Sequence, residues 1–174
     1  PTGILYKNIR TAYSAKTYKL KLHKKDGIFC QKDIIPLKKF RPEYGWIESN
    51  EPEEHLEKVA IKINENFKQI ENILCFSYKD LSLANRVRYQ NSNVDILFAN
   101  KKGLLGDHFE EIDEEKVFEK IKSIKKKYDL VIIRHYLEHF ENIKKIMMAF
   151  KSKMSNKSIC FLEVPDCNDF IRNK

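Results

Sequence analysis

The chain has 174 residues and a formal net charge of +8, with 42% hydrophobic and 33% charged residues. This length is sufficient for one hydrophobic core, and the balance of apolar and charged residues argues against an intrinsically disordered chain. No apolar stretch approaches the roughly 18 residues that a membrane-spanning helix needs. The sequence therefore predicts a globular domain without a membrane span.

The excess positive charge is concentrated in the first 50 residues, which carry eleven lysines and arginines against four acidic residues. A basic segment attracts nucleic acid or phosphorylated small molecules, although a lysine-rich solvated surface is the simpler interpretation. Within it, the stretch KTYKLKLH (residues 16–23) alternates polar and apolar side chains, which predicts a half-buried strand. We expect residues 1–48 to form a basic N-terminal segment of strands and loops.

Residues 49–71 have a helical pattern. Apolar side chains recur at spacings of three and four from Leu56 to Ile70. Ser49 or Asn50 is a suitable N-cap, and Pro52 suits the first turn. This stretch predicts a helix that links the basic segment to the rest of the chain.

Strand-like and helix-like runs alternate from residue 72 to the end of the sequence. Four short runs, at residues 73–77, 94–99, 130–133 and 159–164, are apolar on both faces. Helical patterns separate them, at residues 81–87, 117–124 and 140–150. Such strands predict a parallel sheet covered by helices on both faces, which is the Rossmann-like α/β class. Ligands of these sheets bind beyond the carboxyl ends of the strands.

The four cysteines form no CxxC pair. Cys75 and Cys160 fall inside predicted strands, where a buried, reduced thiol is expected. A disulfide-free chain of this kind is typical of the cytoplasm.

The stretch RHYLEH (residues 134–139) follows the third predicted strand and fits the H-x-x-E-H pattern of certain zinc proteases. A zinc-binding pair of histidines four residues apart needs both on one continuous helix. Here we expect His135 in the turn after the strand and His139 at the start of the next helix. No third ligand stands out downstream, so we predict no metal site.

The segments YDLVIIRHYLEHFENIKKIMMAF and SICFLEVPDCNDFI resemble the middle of class I S-adenosylmethionine-dependent methyltransferases. FRPEYGWIESNEPEEHL and FSYKDLSLANRV add a resemblance to the sugar C-methyltransferase-like proteins of bacterial polysaccharide gene clusters. The resemblance implies S-adenosylmethionine as the cofactor and a nucleotide-linked sugar, or a related polysaccharide precursor, as the substrate. It also implies an incomplete core that is short at its C-terminal end.

The turn after the first strand is rich in glycine in class I methyltransferases, whereas here it has no glycine. The second strand of the family usually ends in an acid that holds the ribose hydroxyls, and here Asn100 takes that place. Sugar enzymes of this kind often carry a cysteine zinc site near the N-terminus, of which only Cys30 is kept, so no structural zinc is expected. The cofactor-binding residues that the resemblance implies are Ser77, Tyr78, Lys79, Asp80, Asn100, Arg134 and His135.

Methylation of a sugar carbon beside a keto group requires a base that first removes a proton. In this interpretation His139 is the base, Tyr136 polarises the carbonyl and Glu138 orients a histidine. The alternative is a non-catalytic relative that kept the sheet and serves as a binding or scaffold module. Nucleic-acid binding belongs to this alternative, since aromatics and lysines alternate in the basic segment, but no recognised motif supports it.

Overall fold

The computed structural model describes residues 22–25, 28–31, 54–67, 69–87, 92–99 and 112–164. The chain divides into two units, Pro1–Asn50 and Glu51–Lys174. In the first unit, strands β1 (Leu22–Lys25) and β2 (Ile28–Gln31) form an antiparallel pair. The predicted strand at residues 16–23 falls mostly outside the described residues. The domain boundaries expected from the sequence stay predictions.

The described part of the second unit alternates helices and strands. Its elements are α1 (Glu54–Asn66), β3 (Asn72–Ser77), a 3₁₀ turn (Tyr78–Asp80), α2 (Leu81–Val87), β4 (Asn93–Phe98), α3 (Glu114–Ser123), β5 (Tyr128–Arg134), a second 3₁₀ turn (Leu137–His139), α4 (Ile143–Lys151) and β6 (Met154–Glu163). The strands form one parallel sheet in the order β4-β3-β5-β6. This arrangement confirms the predicted Rossmann-like α/β class.

Both faces of the two central strands are buried, which explains why their sequences are apolar throughout. Alternate side chains of β3 and β5, including Ile73 and Leu130, pack in one apolar layer with α1 and α2. The side chains between them, including Leu74 and Val131, pack in a second layer with α3 and α4. Period-two alternation within a strand thus sends neighbouring residues into opposite layers, and each layer excludes water from one face of the sheet.

The chain changes direction across the sheet between β3 and β5. From β3 it passes through α2, in the first layer, to β4 on one side. From β4 it returns through α3, in the second layer, to β5 on the other side of β3. The chain therefore leaves the carboxyl ends of these adjacent strands in opposite directions. Such a point opens a crevice where α/β proteins bind ligands, and we call it the switch-point crevice.

An aspartate also joins the two central strands at the opposite end of the sheet. Asp129, the second residue of β5, accepts hydrogen bonds on Oδ2 from the backbone N–H groups of Asn72 at 3.0 Å and Glu71 at 3.1 Å. The side chain thus supplies the acceptor for two donors at the start of β3. It holds the amino ends of the two strands in register.

Several element boundaries differ from the prediction. The third helical pattern was expected to start at Phe140, but α4 begins at Ile143, with Asn142 as its N-cap. Phe140 is buried nevertheless, in the chain that precedes the helix. Ile70 likewise lies beyond the end of α1 at Asn66 and is buried. Apolar residues just before or after a helix can fill the same core layer without helical backbone. Sequence periodicity does not distinguish such residues from those of the helix itself.

The cap of α3 and the two predicted strand cysteines are further local features that the structure describes. Asp113 caps α3, since its side chain accepts a hydrogen bond from the N–H of Lys116 at 2.9 Å. Cys75 is fully buried, as expected, whereas Cys160 is only half-buried, and both are free thiols. Burial, with a smaller contribution from the Asp80 charge, raises the pKa of Cys75 to about 12, and burial raises the pKa of Cys160 to about 11. Both thiols therefore stay protonated at neutral pH.

The proposed caps of α1, Ser49, Asn50 and Pro52, lie outside the described residues. None of the helices in the described ranges combines the length and the apolar character that crossing a bilayer requires.

Candidate functional site

The turn after β3 is closed by its own side chains. The Ser77 hydroxyl accepts a hydrogen bond from the N–H of Lys79 at 3.3 Å, and Asp80 Oδ2 accepts one from the N–H of Ser77 at 2.8 Å. This reciprocal pair is a capping box. Among the described non-glycine residues only His135 has a positive φ, so the turn needs no left-handed backbone. The capping box explains how the turn closes without glycine.

Asp80 also ties the turn to β5. Its side chain is fully buried, and its Oδ1 accepts a hydrogen bond from the N–H of Arg134 at 3.1 Å. Burial raises the pKa of Asp80 to about 7, although the N–H of Ser77 and the charge of Arg134 act in the opposite direction. The carboxyl group therefore titrates near neutral pH while it bridges the carboxyl ends of β3 and β5.

This pKa gives the stability of the domain a pH dependence. The folded carboxyl binds its proton more tightly than an unfolded aspartate, whose pKa is 3.8. The resulting contribution to the free energy of unfolding is fully present below pH 3.8. It is lost as the pH rises through about 7, by at most roughly 1.4 kcal/mol per pH unit. Wild type should lose more stability than Asp80→Asn between pH 5 and pH 8, since the amide does not titrate.

Urea unfolding of both proteins at the two pH values measures this difference. Glu163 titrates in both, so its contribution cancels in the comparison. Equal losses in the two proteins would show that Asp80 has the same proton affinity folded and unfolded.

Arg134 extends the connection from β5 to two other elements. The side chain is only 4% exposed, and its Nε donates to Glu163 Oε2 at 2.7 Å. Its Nη1 lies 3.1 Å from both the Lys79 carbonyl and the Ser82 hydroxyl. The guanidinium thus connects the end of β6 with the first 3₁₀ turn and the start of α2. These acceptors offset the cost of burying the charge.

Two histidines converge on the same carboxylate. His55 Nε2 lies 3.0 Å from Glu163 Oε1, and His135 Nε2 lies 3.2 Å from that atom. Burial alone would raise the pKa of Glu163, but the hydrogen bond and charge of Arg134, with the two histidines, hold it below its usual value. The carboxylate is therefore ionised at neutral pH. We call Asp80, Arg134, Glu163, His135 and His55 the carboxyl-edge network.

His135 has an unusual backbone conformation. Its φ is 55°, in the left-handed region, which costs a residue with a Cβ roughly 1–2 kcal/mol. Its N–H still donates to the Glu163 carbonyl at 2.8 Å, so pairing with β6 continues one residue beyond β5. The strained residue is held by the sheet and by Glu163. Such strain is concentrated at functional sites in proteins generally.

The three predicted catalytic residues lie together after β5. Tyr136 is half-buried, with its ring centroid 4.7 Å from that of Phe76 and 6.5 Å from that of His139. Glu138 Oε1 is 4.0 Å from His139 Nε2. The expectation that His139 starts the next helix is wrong, because His139 ends a 3₁₀ turn and α4 begins four residues later. The chemical roles assigned to these residues stay predictions.

The same geometry bears on the H-x-x-E-H pattern. His135 has left-handed backbone and His139 lies in the 3₁₀ turn, so the two do not share a helix face. His135 Nε2 instead lies 3.2 Å from Glu163 Oε1. Within the described ranges, no group of three potential ligands is arranged to hold a metal ion.

The predicted cofactor-binding residues fall into two groups. Ser77, Asp80 and Arg134 are buried and bond to other parts of the protein, as described above. Tyr78 and Lys79 are exposed on the first 3₁₀ turn. His135 is partly exposed, and Asn100 lies outside the described residues. Six of the seven thus lie at the carboxyl ends of β3 and β5, and three of these six are buried.

The sequence gives no indication of His55, whereas it places Glu163 at the cleft without assigning it a role. Glu163 had a usable signal, because it ends the fourth strand at the same edge of the sheet. His55 gave no such signal, since it lies 108 residues away from its partner on a helix with an ordinary amphipathic pattern.

A family model described as a methyltransferase domain matches residues 75–174, which is more than half of the chain. Comparisons with curated proteins and with solved structures give no match. The matched segment contains the closed turn, the switch-point crevice and the RHYLEH stretch. It does not include α1 or His55.

Proposed function

Since the chain belongs to the family of methyltransferase domains, we propose that it binds S-adenosylmethionine at the switch-point crevice and transfers the methyl group to an acceptor. The observation that carries this proposal is the arrangement at the carboxyl ends of β3 and β5. There the exposed residues of the first 3₁₀ turn and the partly buried His135 and Tyr136 follow two adjacent strands. Ligands of open α/β sheets bind at such a point.

The closed turn restricts how the cofactor is held. The N–H groups of Ser77 and Lys79 are engaged within the turn, and each of its residues carries a Cβ. Binding would therefore depend on side chains. The Lys79 ammonium suits the carboxylate of the methionine part, and the aromatic rings of Tyr78 and Tyr136 suit the sulfonium and the adenine. The residues present fit the cofactor in this chemical sense, with Ser77, Asp80 and Arg134 as supports.

When bound, S-adenosylmethionine supplies an electrophilic methyl group. The protein's own task is to align the acceptor and to manage its proton. We assign proton removal to an imidazole nitrogen of His139, which is well exposed. Tyr136 would donate its hydroxyl hydrogen to the acceptor's carbonyl oxygen, and Glu138 would orient the His139 ring.

We further propose a nucleotide-linked sugar or a related polysaccharide precursor as the acceptor. Two observations support this choice. The segments FRPEYGWIESNEPEEHL and FSYKDLSLANRV resemble sugar C-methyltransferase-like proteins. The excess positive charge of the first 50 residues would also attract a diphosphate group.

A second candidate, a non-catalytic binding module, has one specific observation in its favour. The turn that normally approaches the cofactor through its backbone has two of its N–H donors engaged internally. A relative that had lost cofactor binding would show the same closure. Cofactor titration separates the two candidates.

Calorimetric titration of the full chain with S-adenosylmethionine and S-adenosylhomocysteine is expected to give dissociation constants in the micromolar range, or about −8 kcal/mol. Lys79→Ala and Tyr136→Ala should each weaken binding by about tenfold, since each removes a side chain that is proposed to contact the cofactor. Met148→Ala, an exposed change on α4, is the matched control and should bind like wild type. A folded wild-type chain that binds neither ligand would contradict the proposal and favour the binding module.

A further inference from the structure

The Glu163 carboxylate uses both of its oxygens to organise residues from three other places in the fold. Oε2 accepts the hydrogen bond from Arg134 at the end of β5. Oε1 faces His135, directly after β5, and His55 in the first turn of α1. The orientation of this one side chain therefore determines what surrounds both Arg134 and His135. A contact that holds the Glu163 carboxylate in one orientation therefore also influences the positions of Arg134 and His135 at the switch-point crevice.

Charge determines which nitrogen of each ring carries hydrogen. An ionised carboxylate only accepts hydrogen bonds, so His55 Nε2 must carry a hydrogen to approach Oε1 at 3.0 Å. The negative charge of the same oxygen, which lies 3.2 Å from His135 Nε2, favours hydrogen on that nitrogen too. Glu163 thus favours the Nε2–H form of both rings. In each neutral ring, Nδ1 is then the atom that can accept a proton.

The backbone of His55 is held firmly although its side chain is about half exposed. The neighbouring Leu56 is fully buried, and Ala60 and Ile63 on the same face of α1 are buried as well. All three belong to the apolar layer that includes Leu130 of β5. The start of α1 is therefore fixed against the sheet. An exposed ion pair contributes little to stability, so the contact of His55 with Glu163 has more effect on orientation than on folding.

We propose that His55 is a positioning residue of the methyltransferase site. By donating its Nε2 hydrogen to Oε1, it holds the Glu163 carboxylate with Oε2 towards Arg134 and Oε1 towards His135. It thereby keeps the His135 ring in the Nε2–H form beside the switch-point crevice. The functional unit then includes α1, which lies outside the matched residues 75–174. This inference rests on the proposed cofactor site and deepens it.

Nitrogen NMR of histidine-labelled protein tests the positioning directly. In wild type, the His135 ring should give the signature of a single Nε2–H form. His55→Ala should convert this signal to that of a mixture of both neutral forms, although His135 itself is unchanged. His55→Gln should restore the wild-type signature, because the glutamine amide can donate to Oε1 in the same way. His139→Ala, which removes a different exposed histidine, is the matched control and should leave the His135 signal as it is.

Cofactor affinity provides the second measurement. His55→Ala should weaken S-adenosylmethionine binding by about tenfold, whereas His55→Gln should stay within about threefold of wild type. A His135 signal that is unchanged in His55→Ala would overturn the inference, as would a His55→Gln variant that behaves like His55→Ala. The NMR experiment needs no cofactor. If wild type fails to bind S-adenosylmethionine, the proposed function fails, while the NMR result still decides whether His55 positions His135.

Discussion

Arg134→Ala is expected to lower the free energy of unfolding by about 3–5 kcal/mol, the usual cost of removing one partner from a buried ion pair. The guanidinium donates to Glu163, to the Lys79 carbonyl and to the Ser82 hydroxyl. Its loss leaves the largely buried carboxylate of Glu163 without its strongest partner. It also removes a positive charge beside Asp80. Urea unfolding followed by circular dichroism measures the loss.

The matched control is Arg86→Ala. Arg86 Nε lies 3.3 Å from Glu57 Oε2, but the two side chains are 33% and 66% exposed. Solvent screening should limit its contribution to less than about 1 kcal/mol. Replacing both partners of the buried pair by apolar residues, as in Arg134→Met with Glu163→Leu, should recover much of the loss. If Arg134→Ala cost no more than Arg86→Ala, the buried pair would have no special role in stability.

Phe76→Ala is the second change with a large expected effect, a loss of about 3–5 kcal/mol of stability. The side chain is fully buried near the end of β3. Its ring centroid lies 5.5 Å from that of Phe98, 5.9 Å from that of Phe140 and 6.1 Å from that of Phe150. A cavity at this point would remove packing contacts from these three rings, and close packing limits how far they can collapse into it.

The same change should affect the site, because the Tyr136 ring packs on Phe76 at 4.7 Å. Phe76→Leu, which keeps most of the volume, should cost less stability than Phe76→Ala and should preserve cofactor affinity better. Thermal unfolding combined with the S-adenosylmethionine titration measures both effects. A Phe76→Ala protein as stable as the Met148→Ala control would contradict the packing assignment.

The fold could be predicted because its strongest determinants are local. A run such as ILCF can be apolar at every position only if both faces of the strand are covered, and β3 and β5 are buried in this way. The aspartate before α3 is an ordinary cap, and its spacing is visible in the sequence. The start of α4 is harder to predict from the sequence, because Phe140 contributes to the same core layer from outside the helix.

The site could be predicted only in part, for a physical reason. Ser77 and Asp80 have the spacing of a capping box, which is a local signal that the sequence carries. The links from Arg134 to Glu163 and from Glu163 to His55 join residues that only the folded sheet brings together. No periodicity encodes such contacts. The sequence therefore indicates where the switch-point crevice lies. It does not indicate which polar side chains there are buried and hydrogen-bonded to other parts of the protein.

Aspartate side chains link the two central strands, β3 and β5, at both ends of the sheet. Asp129 of β5 accepts from the start of β3, and Asp80 after β3 accepts from the end of β5. A slip of β3 against β5 by one residue would break both sets of bonds and expose apolar side chains. The register of the two strands is therefore fixed at both ends of the sheet. A cofactor bound as we propose would meet this fixed edge of the sheet, and any adjustment to its shape would fall to the exposed side chains of Tyr78 and Lys79.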